Sequence, residues 1–395
     1  MGDAREVVVV GSTRTAIGDY GGSLKDVPPT ELGAIVTREA VKRSGVDAGQ
    51  VGIVVFGNVI HSEPKDMYLS RVAALNGGLA QHTPAVTLNR LCGSGLQAIV
   101  TAAQSILLGD TDVAVAGGAE SMSRGGYVLQ NERWGQRMGN GSTVDMMVGA
   151  LTDPFDTVHM GVTAENVAAQ FGISRESQDE LAVESHRRAA NAIANGYFKE
   201  QIVPVEIKTR KGTVVFDTDE HVRSDTSLAS LQKLRTVFDK NGTVTAGNAS
   251  GINDAAAAVV LMDRAAAKRE GRVPLARLVS YGHSGVDPKI MGIGPVLAVK
   301  QALQKADLKV SDIDVIESNE AFAAQACAVA KELGFDPAKL NPNGGAIALG
   351  HPIAATGCIL TVKAIAELAR TGGRYALITM CIGGGQGIAG IFERI

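Results

Sequence analysis

The chain has 395 residues, 45% of them hydrophobic, and a formal net charge of −3. This length exceeds one ordinary hydrophobic core and predicts two or three domains, while the small net charge argues against a general nucleic-acid or anionic-membrane binder. The four cysteines, at 92, 327, 358 and 381, follow no C-x-x-C or Cys/His ligand spacing, which argues against a zinc site and a disulfide framework. We expect no signal peptide, no apolar run long enough to span a membrane and no metal, and hence a cytoplasmic protein.

Strand and helix patterns alternate over the first 120 residues. A helix is predicted over 30–43, with Thr30 as its N-cap and Gly45 as its stop. Buried strands are predicted at 6–10, 53–56 and 112–116. Alternation of this kind is typical of a mostly parallel sheet that is covered by helices on both faces.

The stretch Asn89–Ala98 joins an apolar run to a long apolar helix pattern over 96–108. Interpreted as strand, tight turn and helix, it places Cys92 at or near the N-terminus of that helix. Free backbone N–H groups and the positive end of the helix dipole favour a thiolate there, which predicts a reactive cysteine. A buried structural cysteine in a glycine-rich turn is an equally good interpretation of this stretch alone.

The next segment, 121–147, is rich in Gly, Met, Ser and Arg and contains the only tryptophan, Trp134. We interpret it as a loop-rich insertion, which is either an oligomer contact or an ordinary surface excursion. A helix over 174–195 and a β-hairpin over 202–216 follow. Further strands are predicted at 257–261, 276–281, 313–316 and 375–380.

A weak internal repeat predicts two similar halves. The segment 45–58 resembles 307–320, and the turn at Cys92 resembles Gly350–Gly357, which carries His351. Each of these two turns leads into a predicted helix. Two such halves packed face to face would bring the cysteine and the histidine to one interface.

Three further residues are candidates to join Cys92 in a reaction. His351, in a glycine-rich turn before a proline, can take the proton of a thiol, although a lone histidine is more often structural. Cys381 follows a predicted strand and precedes a glycine run, including Gly383, whose N–H groups can bind an oxyanion. A core cysteine in a tight turn explains the same residues. Asn319 can orient a water or a carbonyl, or simply cap a helix.

A second thiol beside a Cys–His pair suits a particular kind of reaction. Such a reaction protonates a carbon leaving group and, in reverse, removes a proton from carbon, whereas simple hydrolysis has less need of the second thiol. Cys327 and Cys358 lie in helix patterns among apolar neighbours, so we expect both to be structural.

Five motifs, in order along the chain, resemble those of the thiolase family, and the resemblance covers essentially the whole sequence. The motifs are Asn89–Ala98, Gly247–Asp254, Asn319–Phe322, Gly350–Pro352 and Cys381–Gly385. They are most similar to the bacterial acetyl-CoA acetyltransferases and to the β-ketothiolases of polyhydroxyalkanoate synthesis. The resemblance implies an α/β fold with a five-layered αβαβα core, made of two similar halves, and an inserted loop domain.

The same resemblance implies domain boundaries. Residues 1–120 with 246–272 would form the N-terminal half, and residues 273–395 the C-terminal half. Residues 121–245 would form the loop domain, which binds CoA and makes the oligomer contact. Family members are commonly tetramers and sometimes dimers, so a homotetramer is expected and a dimer stays open.

The resemblance also implies a mechanism. Cys92 attacks the keto carbon of a 3-ketoacyl-CoA after activation by His351, and Cys381 protonates the acetyl-CoA enolate that leaves. In the biosynthetic direction two acetyl-CoA molecules condense, and Cys381 removes the α-proton. One oxyanion hole would use His351 and a water held by Asn319, and the other the backbone N–H groups of Cys92 and Gly383.

Coenzyme A is, by the same resemblance, a substrate and product rather than a cofactor. Seven residues match family contacts to pantetheine or nucleotide: His159, Met160, Arg223, Ser230, Ser250, Ala321 and Phe322. The arginine suits a phosphate charge, and Met160 implies a short acyl pocket. Ala354 stands where glycine is more usual in the family, and its extra methyl group bears on the acyl pocket or the turn geometry. Ser318 stands where alanine is frequent.

Three alternatives to a thiolase remain open from the sequence. A decarboxylating ketoacyl synthase usually pairs one cysteine with two histidines or a His–Asn pair, and Cys381 argues against it. A non-catalytic acyl-CoA carrier would be expected to lack Cys92 or His351. An unrelated cysteine hydrolase would release the acyl group without needing CoA.

Overall fold

The structure is a computed structural model that describes residues 5–395. Its strands are β1 (Val7–Arg14), β2 (Gly18–Asp19), β3 (Ile53–Gly57), β4 (Ala85–Leu88), β5 (Val113–Ser121), β6 (Tyr127–Leu129), β7 (Thr143–Asp145), β8 (Val205–Thr209), β9 (Gly212–Phe216), β10 (Asn253–Asp263), β11 (Ala276–Gly285), β12 (Val315–Ser318), β13 (Tyr375–Ile382) and β14 (Gln386–Glu393). Its α-helices are α1 (Pro29–Ser44), α2 (Leu69–Asn76), α3 (Ser94–Leu108), α4 (Met146–Ala150), α5 (Met160–Phe171), α6 (Arg175–Ala194), α7 (Leu228–Leu231), α8 (Arg264–Arg269), α9 (Gly294–Ala306), α10 (Ala323–Leu333), α11 (Ala346–Leu349) and α12 (Thr356–Thr371).

The large sheet has ten strands, nine of them in the order β12-β13-β14-β11-β1-β10-β5-β3-β4, with β2 paired to β10. Parallel pairing joins β3 to β4, β3 to β5 and β12 to β13, and the other neighbours are antiparallel. The predicted mostly parallel sheet is therefore wrong. A short glycine turn joins β13 to β14, and so short a connection can only make an antiparallel hairpin.

The sheet has two halves that meet along a narrow seam. Strands β1 and β11 share only two paired positions, Val8 with Arg277 and Val9 with Ala276. Helices α3 and α12 pack on each other and contact strands of both halves, so they form a middle layer. Helices α1 and α2 cover the N-terminal half, and α9 covers the C-terminal half, which completes five layers.

The internal repeat is confirmed in local structure. Helix α1 ends at Gly45 with φ of 64°, and a 3₁₀ turn, Ala48–Gln50, leads into β3. Helix α9 ends at Asp307 with φ of 53°, and a 3₁₀ turn, Val310–Asp312, leads into β12. The two glycine-rich turns lead into α3 and α12, which occupy matching places in the two halves.

Several predicted element boundaries shift. Helix α1 begins at Pro29, with Pro28 rather than Thr30 in the N-cap position, because a proline fits the first helical turn. Strand β5 continues past Gly117 and Gly118, since β10 pairs with it along its length. The predicted strand at 313–316 is β12, two residues further along.

The region between β5 and β10 carries the predicted loop-rich insertion. Helix α6 begins after Ser174, whose hydroxyl accepts the N–H of Ser177, and β8 and β9 form the predicted hairpin. Helices α5 and α6 both pack against α10 of the C-terminal half. Trp134 is 89% exposed.

The segment Leu91–Leu108 corrects one expectation from the sequence. Its 18 residues have a mean hydropathy of 1.5, which by length and composition alone is enough to span a membrane. In the structure it contains α3, the middle-layer helix, and Leu96, Ile99 and Ile106 are fully buried against the sheets. Its apolar character is therefore explained by packing inside the molecule.

Candidate active site

Cys92 lies in a short 3₁₀ turn, Leu91–Gly93, that runs directly into α3. The turn is held at both ends: Asn89 Oδ1 accepts the N–H of Leu91 at 2.9 Å, and Ser94 Oγ donates to the Leu91 carbonyl at 2.7 Å. Leu91 has φ of 46°, a strained value for this residue type. The predicted strand, turn and helix are confirmed, and the cysteine precedes the helix by one tight turn.

Two glycines in this turn allow the C-terminal half to come close. A Cβ at Gly93 would lie 2.4 Å from the Ile382 side chain, at the end of β13. A Cβ at Gly95 would lie 2.7 Å from the backbone nitrogen of Cys358, in α12. Larger residues at either position would push the two halves apart, so the cysteine turn depends on both glycines.

His351 is enclosed in the matching turn before α12, with a side chain that is fixed at both ring nitrogens. Nδ1 lies 2.7 Å from Thr356 Oγ1, and that hydroxyl donates its own hydrogen to the Pro352 carbonyl at 3.1 Å. Thr356 can then only accept from the ring, so Nδ1 carries the hydrogen. Nε2, which makes a long contact of 3.5 Å with Asn319 Nδ2, is left as the basic atom.

Burial sets the protonation of both side chains. Burial raises the pKa of Cys92 to about 11, although the N–H groups of Gly383 and of Cys92 itself act to lower it. Burial lowers the pKa of His351 to about 4. The helix start was expected to favour a thiolate, but here loss of solvent outweighs the helix N-terminus and raises the pKa of Cys92. Burial thus favours a neutral thiol at Cys92 and a neutral imidazole at His351.

Cys381 and Gly383 come to Cys92 from the end of β13. Cys381 is fully buried, which raises its pKa, and the charge of Cys92 raises it further, so the two thiols lie close together. The backbone N–H of Gly383 acts to lower the pKa of Cys92, and a Cβ at Gly383 would lie 3.1 Å from Leu91 Cδ1, so this strand end packs on the cysteine turn. Gly384 and Gly385, with φ of 79° and 81°, then turn the chain into β14. Positive φ at two successive residues explains the glycine run.

Asn319 lies after β12 and before α10, and its own N–H donates to the Thr379 carbonyl at 2.9 Å. Its Oδ1 is buried and has no hydrogen-bond partner in the structure. A buried amide oxygen without a partner is an open acceptor for a water. The interpretation as a helix N-cap is wrong, since Phe322 occupies the N-cap position of α10.

The candidate CoA residues fall into two groups. Near the thiols, His159 caps α5 and its ring stacks on Phe238 at 4.6 Å, while Phe238 meets Phe322 edge-on at 6.2 Å. Met160 is 5% exposed, and a Cβ at Gly383 would lie 2.8 Å from its Cε. Phe238 belongs to none of the sequence motifs. It is recognisable only in the structure, where its ring lies between those of His159 and Phe322.

The second group surrounds a cavity of about 320 Å³. Arg223 and Ser230 line it, beside His186, whose pKa burial lowers to about 4 with help from the charges of His221 and Arg223. The Ser250 N–H donates to the Ala321 carbonyl at 3.0 Å, and Ala249 pairs with Phe322. This small bridge places Ser250 and Ala321 between the cavity and the aromatic group.

Other residues singled out by the sequence lie beneath the site. Cys358 is fully buried, and Cys327 is half-buried with its thiol 3.7 Å from the Ser177 carbonyl. Ala354 and Ser318 are also buried, and the Ser318 N–H donates to Asn341 Oδ1 at 2.9 Å. Within residues 5–395 no group of three or more His, Cys, Asp or Glu side chains is placed to hold a metal.

Comparisons with known proteins cover the whole of this architecture. Residues 7–265 match the family model described as "Thiolase, N-terminal domain", and residues 272–394 match "Thiolase, C-terminal domain". The chain is 70% identical over 392 residues to the β-ketothiolase BktB of Cupriavidus necator, which covers 99% of this chain and 100% of that relative.

Solved structures agree with the sequence relatives. The acetyl-CoA acetyltransferase of Bacillus anthracis has a TM-score of 0.97 at 47% identity, with 99% of each chain covered. Human mitochondrial 3-ketoacyl-CoA thiolase in complex with CoA has a TM-score of 0.96 at 45% identity, with 99% of this chain and 98% of that chain covered. These similarities confirm the fold class that was predicted from the five motifs.

Proposed function

Because the chain belongs to the thiolase family, we propose that it works as a β-ketothiolase, an acyl-CoA C-acetyltransferase. It cleaves a 3-ketoacyl-CoA with free CoA and, in reverse, condenses acetyl-CoA with acetyl-CoA or another short acyl-CoA. The observation that carries this proposal is the placement of two thiols, Cys92 and Cys381, beside the backbone N–H of Gly383. A hydrolase or a carrier has no use for the second thiol.

The first half-reaction makes an acyl-enzyme on Cys92. As its sulfur attacks the keto carbon, the thiol proton moves to Nε2 of His351, the ring nitrogen that the Thr356 contact leaves basic. The bond between the α- and keto carbons then breaks, and its electron pair goes to acetyl-CoA as an enolate. The Cys381 thiol gives its proton to that carbon, which leaves a Cys381 thiolate.

The second half-reaction moves the acyl group to CoA. The Cys381 thiolate takes the proton of the CoA thiol, and the CoA sulfur attacks the thioester on Cys92. The released Cys92 sulfur recovers its proton from His351, so every group returns to its resting state. Neutral resting thiols fit this cycle, because each cysteine must be able to hold and release a proton.

Two oxyanion sites support these steps. The N–H groups of Cys92 and Gly383 both act to lower the pKa of Cys92, which supports an oxyanion site at these two groups for an oxygen on the carbon bonded to the sulfur. The second site would combine His351 with a water bound at the open Oδ1 of Asn319. Coenzyme A is a substrate and product in this scheme, and the proposal needs no metal or separate cofactor.

The CoA path follows from the two groups of candidate residues. The cavity with Arg223 and Ser230 would hold the phosphate end, because a guanidinium suits phosphate charge. Pantetheine would then pass the bridge at Ser250 and Ala321 to reach the aromatic group of His159, Phe238 and Phe322. Met160, against Gly383, limits the acyl chain to short lengths.

Assembly and cellular role extend the proposal. We propose a homotetramer whose contact uses the apolar side chains of the loop domain, since Tyr127, Trp134 and Met138 are 66%, 89% and 94% exposed. The loop domain is residues 121–245, between the N-terminal half (1–120 with 246–272) and the C-terminal half (273–395). The enzyme would work in the cytoplasm, in polyhydroxyalkanoate synthesis or fatty acid metabolism. A Trp134→Ser variant that keeps the wild-type assembly size in light scattering would refute this contact.

CoA-dependent thiolysis of 3-ketoacyl-CoA substrates of increasing chain length tests the activity. Cleavage should be strongest for the shortest substrates, fade with length and disappear in both Cys92→Ser and Cys381→Ser. CoA binding without any cleavage by the wild type would instead indicate a carrier. Acyl release that does not depend on CoA would indicate a hydrolase.

A further inference from the structure

Glu120 is a carboxylate buried under the active site. It is the second-last residue of β5, its side chain is fully buried, and no Lys, Arg or His side chain in residues 5–395 forms an ion pair with it. A carboxylate without a cation must satisfy its oxygens with N–H donors if it is to stay ionised inside a protein. The identity of those donors therefore shows what the residue holds in place.

Four N–H groups point at this one carboxylate. Oε1 accepts from Asn58 Nδ2 at 3.1 Å and from the Ile60 N–H at 3.0 Å, while Oε2 accepts from the Val59 N–H at 3.2 Å. The fourth donor is the N–H of Ala354, at 3.1 Å from Oε2, 234 residues away in the other half. Glu120 thus joins the loop after β3 to the turn that carries His351.

Burial raises the pKa of Glu120 to about 8, and the N–H groups of Ile60, Ala354 and Val59 act to lower it, while the charge of Asp66 raises it. Burial alone thus favours the protonated form at pH 7, whereas four N–H donors on two oxygens fit the ionised form, and the hydrogen bonds decide for the latter. A protonated carboxyl would turn its O–H toward one of four N–H donors, and that pair would be lost.

The residues held by Glu120 are the ones that surround the nucleophile. Val59, Ile60 and Ile353 pack with Cys92 in one apolar cluster, together with Met122. Two of these residues donate their N–H groups to Glu120 directly, and Ile353 is the neighbour of Ala354. The apolar side chains beside the Cys92 sulfur therefore come from both halves, and Glu120 binds the backbone at or next to Val59, Ile60 and Ile353.

The backbone of Ala354 is also enclosed at its carbonyl, in the peptide unit that follows the N–H. Its carbonyl oxygen would lie 3.3 Å from a Cβ at Gly57, 2.8 Å from one at Gly95 and 2.1 Å from one at Gly118. Three glycines from β3, α3 and β5 thus make room for a single oxygen. With the Ala354 N–H bound to Glu120 and its carbonyl enclosed, the backbone of this residue has little freedom to shift.

We propose that Glu120 is a positioning residue that sets the shape of the acyl pocket around Cys92 and the placement of the His351 turn. This inference rests on the proposed β-ketothiolase activity. A carboxylate is required because its two oxygens serve donors from both halves at once. Glutamine has nearly the same shape, but its NH₂ group would face two N–H donors in place of an acceptor.

Thiolysis kinetics of Glu120→Gln test the inference, with turnover expressed per Cys92 that iodoacetamide can alkylate. We expect kcat to fall roughly tenfold to a hundredfold, since small misplacements of catalytic groups have effects of that size. The KM for CoA should change less than twofold, because the cavity of Arg223 is held by other contacts. The ratio of four-carbon to six-carbon turnover should also fall as the pocket walls loosen.

Glu393→Gln is the matched control. Glu393 is also buried and accepts hydrogen bonds from Arg277 and Arg374, but it lies at the far end of β14. The Glu393→Gln substitution should lower the melting temperature and leave both kcat per active site and the ratio of four-carbon to six-carbon turnover unchanged. A merely structural role for Glu120 predicts this same pattern for Glu120→Gln.

The outcomes separate this inference from the proposed function. If the wild type shows no thiolysis, the proposed function fails. If the wild type is active and Glu120→Gln matches it in kcat per active site and in chain-length ratio, only the role of Glu120 is refuted. If Glu120→Gln does not fold, Glu120→Asp decides the matter, because its shorter side chain keeps the charge and cannot reach both halves. A wild-type kcat in that variant would equally refute the inference.

Discussion

Cys92 and His351 stand at matching helix starts, before α3 and before α12, yet the two turns hold their side chains in opposite ways. The groups that act to lower the pKa of Cys92 are backbone N–H groups, its own and that of Gly383. The ring of His351 is fixed by side chains at both nitrogens, Thr356 on one and Asn319 on the other. The nucleophile is thus left free to change its bonding, while the base is held in one orientation and one tautomer.

Burial also shifts the pKa values of Cys92 and His351 in opposite directions and leaves both side chains neutral. It raises the pKa of the thiol to about 11 and lowers that of the imidazole to about 4. From this difference we expect activation of Cys92 to be a proton transfer during attack, with no standing thiolate–imidazolium pair in the resting state.

The resting state of Cys92 is open to direct measurement. With a pKa near 11, only about one sulfur in ten thousand is ionised at pH 7. The ultraviolet difference spectrum between wild type and Cys92→Ser should show no thiolate absorbance at pH 7 and a growing signal as the pH approaches 11.

Stability should depend on the same proton. Because the pKa of Cys92 is higher in the folded state than the ordinary value of 9.0, the free energy of unfolding should fall as the pH rises from about 9 to about 11. A full thiolate signal at pH 7 would contradict the account.

Removal of the proposed base should strongly reduce the rate of thiolysis. His351→Ala leaves the thiol without a proton acceptor, so kcat for thiolysis should fall by roughly 10²- to 10⁴-fold. The KM for CoA should stay near the wild-type value, because the CoA cavity does not include His351. A loss of less than about tenfold would mean that another group takes the proton.

Because Thr356 fixes the tautomer of His351, Thr356→Val should also reduce the rate of thiolysis, by less than His351→Ala does. This variant keeps the size of the side chain and removes the acceptor for Nδ1–H, so kcat should fall roughly tenfold to a hundredfold. Thr356→Ser should restore most of the rate. Thr361→Val is the matched control, since Thr361 is buried in the same helix and donates only to the Gly357 carbonyl at 2.8 Å. Equal losses in the two valine variants would remove the role assigned to Thr356.

The smallest effect concerns chain length. Met160→Ala should open space beside Gly383 and raise the six-carbon to four-carbon ratio of kcat/KM by roughly tenfold, the size expected for one or two methylene groups in an apolar pocket. The rate with the four-carbon substrate should change little. An unchanged ratio would place the limit on chain length elsewhere in the pocket.

The repeat in the sequence was enough to predict that Cys92 and His351 share an interface, because equivalent turns in packed halves must meet. The five-layered fold followed from the family resemblance. The direction of the strands could not be predicted, since alternation along the chain does not reveal that β10 returns between β1 and β5. Periodicity describes single elements, and pairing is decided by contacts between distant ones.

The sequence did not predict a role for three residues: Thr356, Glu120 and Phe238. Each acts through a partner whose position only the fold defines: a ring nitrogen, a peptide 234 residues away, and two aromatic rings. The raised pKa of Cys92 was not expected from its helix start for a related reason. A helix start is visible in a sequence, but the burial that outweighs it depends on the C-terminal half packed above the turn.

The most direct test of the account is the location of the acyl group. The wild type would be incubated with a four-carbon 3-ketoacyl-CoA in the absence of free CoA, and its peptides analysed by mass spectrometry. The account predicts one acetyl group, attached to Cys92 and removed when CoA is added. An acetyl group on Cys381, or none while thiolysis proceeds normally, would contradict it.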